Sequence, residues 1–126
     1  MRLLLDTNAL LWWEEDSERL GAVARAAIGA SEFVFVSAAS AWEAEIKQAL
    51  GKLVFVDDVQ EMISANGFIE LPVSVRHAAA LRSLGRFHRD PFDRMLVAQA
   101  LVEECTLVTA DRDLARYGVP TLDACA

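Results

Sequence analysis

Short apolar runs alternate along the chain with longer stretches in which apolar residues recur every three or four positions. The first run, Leu3-Leu4-Leu5, comes directly after the start and reads as a strand buried on both faces. Glu32 to Val36 is too apolar and β-prone for anything but a second buried strand, and Thr106 to Thr109 reads as a fourth. Between them Phe68 to Pro72 forms a third, shortened by its proline and therefore placed at an edge. Val119 to Leu122 makes a last small strand.

The intervening stretches carry helix punctuation. Ala9 to Trp13 begins a short helix that ends in the polar run Glu14 to Ser17, and a second helix fits Ala22 to Ala30 with Gly21 before it. Ser37 caps a helix from Ala38 to Leu50, and Gly51 stops it. Asp57 or Asp58 opens the next, which stops at Asn66-Gly67. Ser74 caps Val75 to Leu84, closed by Gly85. Asp90 is a natural N-cap and Pro91 a natural first residue for a helix reaching about Glu104. A short helix then closes at Gly118.

Strands separated by helices throughout predict an α/β fold: a doubly wound, mostly parallel sheet of about five short strands, flanked by helices and spanning 1–126 as one domain. Doubly wound order sets the first and fourth strands side by side, so Asp6, just after the first, comes next to Asp111, just after the fourth. The helices opening after Ser37 and at Asp90 start at the same end of the sheet and carry Glu43 and Asp93 in their early turns. Four carboxylates from four distant segments thus converge on one rim.

Each acid also has a plainer use. Asp6 can cap the first helix; Asp93 can close a capping box with Asp90; Glu43 can be a surface residue; Asp111 or Asp113 can cap the helix after the fourth strand. None of these explains the convergence. Packed carboxylates repel unless a cation or strong donors hold them, and a rigid set of hard oxygens suits magnesium or manganese.

The 126 residues are 54% hydrophobic, so material for a core is ample, and mean hydropathy is +0.25. No apolar run approaches the roughly 20 residues that cross a bilayer. The opening residues only faintly resemble a signal peptide, because Asp6 and Asn8 interrupt it. A cytoplasmic protein with no membrane association is expected. Cys105 and Cys125 lack any metal-ligand or redox spacing, and Cys105 reads as a free, partly buried thiol. With two histidines, His77 and His88, a histidine-rich metal site is excluded.

The net charge of −7 lies in residues 1–70, with 12 acids against 5 bases, whereas 71–126 balance 7 against 7. Arg76, Arg82, Arg86, Arg89 and Arg94 gather around the histidines. They are a solvated face or a basic rim beside an acidic pocket.

Four segments carry a family resemblance: Leu4-Leu5-Asp6-Thr7-Asn8, Ser40-Ala41-Trp42-Glu43, Asp93-Arg94-Met95-Leu96 with Ala98, and Leu107-Val108-Thr109-Ala110-Asp111-Arg112-Asp113. In this order they resemble the PIN-domain nucleases, and more closely their VapC-type toxin branch. The resemblance implies a magnesium-dependent endoribonuclease (Mg2+ or Mn2+), the toxin of a toxin–antitoxin pair, hydrolysing phosphodiester bonds in RNA. Its catalytic and metal-binding acids fall on Asp6, Glu43, Asp93 and Asp111. Asn8, Thr109 and Asp113 support them, and either Asp111 or Asp113 is the fourth acid. Arg89 and Arg94 are the candidates for holding the RNA backbone. A cognate antitoxin protein and a homodimer are the expected assemblies, with Trp12 or Trp13 belonging to an apolar groove for an antitoxin helix. Two other classes stay open on the residues alone, a phosphotransfer or phospho-acceptor domain and an inactive interaction module.

Overall fold

A computed structural model describes residues 1–52 and 58–126. Five parallel strands form one sheet in the order β3-β2-β1-β4-β5, with β1 Arg2–Leu5, β2 Phe33–Ser37, β3 Ile69–Leu71, β4 Thr106–Thr109 and β5 Thr121–Asp123. The proline-shortened strand is at one edge, as its missing N–H requires. β5 pairs only from Thr121, because Pro120 has no donor for the ladder and offers just its carbonyl, to the Leu107 N–H.

Helices cover both faces. The side chains of β1 alternate between them: Leu3 and Leu5 pack with Leu10, Ile28, Val34, Val36, Met62 and Val108, whereas Leu4 packs with Leu96, Val97, Leu107 and Leu114. A strand with no solvent face must be apolar at every position, which is why it is legible as a run and not as an alternation. Leu3, Leu4 and Leu5 are all fully buried.

Among the described residues six α-helices fill the connections: α1 Thr7–Glu14, α2 Ala22–Ala30, α3 Ala38–Ala49, α4 Val59–Asn66, α5 Val75–Ala80 and α6 Pro91–Glu103. The Ser37, Ser74 and Asp90 hydroxyl or carboxylate oxygens accept the N–H groups of Ala39, His77 and Phe92 as N-caps should. Asp58 caps α4 by accepting from Glu61 N–H at 2.8 Å; the alternative, Asp57, lies outside the described residues. Helix 75–84 is shorter than its pattern implies: α5 stops at Ala80 and tightens into a 3₁₀ turn, Leu81–Ser83. The closing helix, Arg112–Tyr117, is also 3₁₀. Cys105 is buried and Cys125 exposed, both as free thiols.

One buried polar chain fixes α6 against the sheet. Ser37 donates its hydroxyl to Gln99 Oε1 at 2.5 Å, and Gln99 donates to the Pro72 carbonyl. Ser74 N–H donates to His77 Nδ1, so Nε2 carries the ring proton and donates it to Glu103 at 2.7 Å. His77 is thereby spent on structure.

Gly21 precedes α2 and has no side chain to cap it. The Ala126 carbonyl does so instead, accepting from Val23 and Ala24 N–H at 2.9 and 3.3 Å. A Cβ on Gly21 would fall 2.0 Å from that oxygen. Gly21→Ala is expected to displace the cap and cost on the order of 1–3 kcal/mol, read as a lowered denaturation midpoint. An unchanged midpoint would show that the Ala126 backbone does not hold α2.

Candidate active site

The ladder between β1 and β4 runs one residue past β1, with Asp6 N–H donating to the Val108 carbonyl at 3.0 Å. The chain then turns directly into α1, and Asp6 Oδ1 accepts from Ala9 N–H at 2.8 Å. Asp6 is therefore both the helix cap and the floor of a carboxylate cluster. It is 7% exposed. Burial, resisted by donation from the Thr109 hydroxyl and the Ala9 amide and reinforced by the charges of Glu43 and Asp111, pushes its pKa up to about 6.

Glu43 comes from the buried face of α3, which it shares with Ala39, Ser40 and Ala44. Thr7 donates its hydroxyl to Glu43 Oε1 at 2.5 Å, and Lys47, one turn on, lies 3.2 Å from Oε2. Asp93 sits in the first turn of α6. Burial first, then the charges of Asp90 and Asp6, raise its pKa to about 7; His88 opposes the shift, and Glu43 adds to it. Asp90 faces its own backbone, accepting from Phe92 and Asp93 N–H at 2.8 and 3.3 Å, and is the cap of α6.

Asp111 comes immediately after β4. Its Oδ1 accepts from Asp113 N–H at 3.0 Å, its own N–H donates to Thr109 Oγ1, and its Oδ2 lies 2.6 Å from His88 Nε2. Of the two candidate acids here, Asp111 reaches the cluster; Asp113 is exposed and enters only through its backbone. Thr109, buried, bridges Asp6 to the Asp111 backbone. Asn8 is exposed on α1.

The structure thus brings together Asp6, Glu43, Asp93 and Asp111, and adds His88, which the sequence does not single out. One ligand atom each from His88, Asp93 and Asp111 lies within 4.8 Å of the others. Ser40 Oγ, on the Glu43 face of α3, is buried with no hydrogen-bond partner among the described residues. Hard carboxylate oxygens and one imidazole nitrogen form a donor set that fits a divalent cation.

Arg94 does not line the rim. Its guanidinium donates to the Gly85 carbonyl at 2.7 Å and to Tyr117 Oη at 3.2 Å. Arg89 is exposed. Both Trp12 and Trp13 pack against the core, with Trp13 Nε1 donating to Asn66 and its ring tilted on Phe68. The exposed tryptophan is Trp42, at 64%, edge-on to Phe92 over an apolar hollow of about 440 Å³.

Over residues 3–120 the sequence matches the PIN domain family. The chain belongs to that family. It is 33% identical over 125 residues to ribonuclease VapC22 of Mycobacterium tuberculosis, covering 94% of this chain and 93% of that protein, which sets this PIN domain in the VapC-type branch. Solved structures share the fold at lower identity. VapBC2 from Rickettsia felis, bound to a DNA fragment from their promoter, superposes with a TM-score of 0.70 at 14% identity, covering 98% of both chains. A toxin–antitoxin complex from Klebsiella pneumoniae gives 0.68 at 18% identity over 97% of both.

Proposed function

We propose that this PIN domain is an endoribonuclease dependent on magnesium or manganese, and the toxin of a toxin–antitoxin pair. The observation that carries the reading is the meeting of Asp6, Glu43, Asp93 and Asp111, from four segments, at the carboxyl end of the sheet. The 33% identity to a ribonuclease over nearly the whole chain supports it.

Asp6 and Asp93, the two acids whose ionisation the fold resists, would be the principal ligands, with Glu43 and Asp111 completing the set. A bound divalent cation supplies the positive charge that polarises the phosphodiester and acidifies water. The chain's own residues do the positioning. Thr7 and Lys47 clamp Glu43, Thr109 and the Ala9 amide hold Asp6, and Asp113 N–H orients Asp111. The cation also reconciles a net charge of −7 with a polyanionic substrate, since it reverses the sign of the pocket. Arg89, exposed just ahead of α6, would contact the flanking backbone. Unpaired RNA suits a rim of this kind, because the deep groove of an A-form helix admits no side chains to its bases.

Phosphotransfer is disfavoured by where the two lysines are: Lys47 pairs with Glu43 on α3 and Lys52 follows that helix, so neither sits after a strand. The proposed partners are an antitoxin protein, as in the Klebsiella pneumoniae assembly, with a basic side chain entering the acidic pocket, and a second copy of the chain. A cytoplasmic location accords with the described residues, in which no helix is long and apolar enough to cross a membrane.

The purified chain is expected to cut total cellular RNA at discrete sites with magnesium or manganese, and EDTA should stop it. Cleavage that survives EDTA, or none with either ion, would overturn the reading.

A further inference from the structure

We propose that His88 is itself a ligand of the cation, and that its nitrogen makes this site favour manganese over magnesium. The inference rests on the metal-dependent function proposed for the acid cluster and adds to it a ligand outside the four acids.

His88 lies in the loop between the Leu81–Ser83 turn and α6, five residues before Asp93. That loop is pinned at several points. Arg94 reaches back from α6 to hold the Gly85 carbonyl at 2.7 Å. Phe87 packs edge-on against Tyr117 at 5.1 Å, and the Arg116 guanidinium lies over the Phe87 ring at 4.5 Å. A Cβ at Gly85 would fall 2.6 Å from the Phe87 ring, so the ring lies close over the Gly85 backbone. These contacts tie the loop to the 3₁₀ helix that begins after Asp111, and they deliver His88 to the cluster in a fixed position.

The spacing then fits one ion. Donors bound at about 2.1 Å stand roughly 3 Å apart when adjacent and about 4.2 Å apart when opposite in an octahedron. Ligand atoms of His88, Asp93 and Asp111 all lie within 4.8 Å of one another, so a small inward relaxation encloses a cation. His88 Nε2 and Asp111 Oδ2 lie 2.6 Å apart, a hydrogen bond that a cation held by both side chains would replace.

Donor chemistry sets the preference. Carboxylates alone suit magnesium, which takes oxygen ligands and binds nitrogen poorly. An imidazole shifts affinity toward the transition metals, of which manganese is the hardest and the closest match to the remaining carboxylates.

The chain has two histidines, and His77 is buried against Glu103 at 2.7 Å, so any imidazole bound to a cation here is His88. The test uses the whole chain, titrated calorimetrically with manganese or magnesium chloride. Electron spin-echo spectroscopy of the manganese-loaded protein reads nitrogen coupling directly. Wild type should bind manganese more tightly than magnesium and show the coupling of one coordinated imidazole. His88→Ala should abolish that coupling and weaken manganese by about tenfold or more, with a smaller loss for magnesium. If His88→Ala does not fold, by circular dichroism in EDTA, the wild-type spectrum alone decides. Manganese bound without nitrogen coupling overturns the inference and leaves the nuclease reading intact. Wild type that binds neither ion overturns the metal site itself.

Discussion

Asp93→Asn is expected to lower RNA cleavage by on the order of a hundredfold to a thousandfold, the range for losing one group that manages transition-state charge. Asp90→Asn, three residues away, should leave it within about threefold, because asparagine caps a helix about as well as aspartate. The two acids share one helix terminus but face differently. Asp90 Oδ1 turns back onto the Phe92 and Asp93 amides, whereas Asp93 is half-buried toward Asp6, Glu43 and His88. Removing the Asp90 charge also relieves one cause of the raised Asp93 pKa, which favours cation binding rather than opposing it. Glu43→Gln and Asp111→Asn should each fall in the same severe class, and a double variant should lose little more than either single one. Cleavage assays under single-turnover conditions settle the contrast. Activity lost with Asp90→Asn and kept with Asp93→Asn would show that α6 presents the other acid.

The difference between those neighbours is readable from the residues alone, because cap chemistry is local. Ser37, Ser74 and Asp90 announce helix starts through oxygens that reach their own chain a few residues on, and Leu3-Leu4-Leu5 announces a strand with no wet face. The acids are legible for a topological reason: parallel strands joined by right-handed crossovers bring their carboxyl ends to one edge, wherever those residues lie in sequence. Features that depend on loop paths and side-chain reach stay hidden. Nothing in Arg86-Phe87-His88-Arg89 says that the loop folds onto Tyr117 and turns His88 inward. Arg94 looks like a free cation until Gly85 and Tyr117 are found within its reach. The tryptophan pair looks as though one must be exposed, yet both are half-buried, Trp13 tilted on Phe68 and bonded to Asn66 and Trp12 also packed on the core. Trp42, on a helix face whose sequence draws attention only to its glutamate, is the most exposed of the three.

The acid cluster should also be visible in stability without any RNA. In EDTA at pH 8, Asp6→Asn is expected to be more stable than the wild type, whereas at pH 4 the two should be nearly equal. The Asp6 carboxyl ionises near 3.8 in the unfolded chain and near 6 in the fold, chiefly because burial penalises the charge. Between those values the unfolded chain binds fewer protons than the folded one, so stability falls as pH rises, and the loss is complete above about 6. Two pKa units correspond to roughly 3 kcal/mol, an upper bound because a relaxing pocket admits water. Asp93 extends the window to about 7, with a smaller effect than its shift suggests, since that side chain is partly open to solvent. Asparagine keeps the carbonyl oxygen that accepts from Ala9 N–H, so the cap survives while the charge is gone. Urea titrations at the two pH values measure the difference directly. Adding millimolar manganese at pH 8 should then reverse the order, because only the wild type gains the free energy of binding a cation to the folded state. If Asp6→Asn is the weaker protein in EDTA at pH 8, Asp6 is stabilising the fold as a charged group, and burial does not raise its pKa.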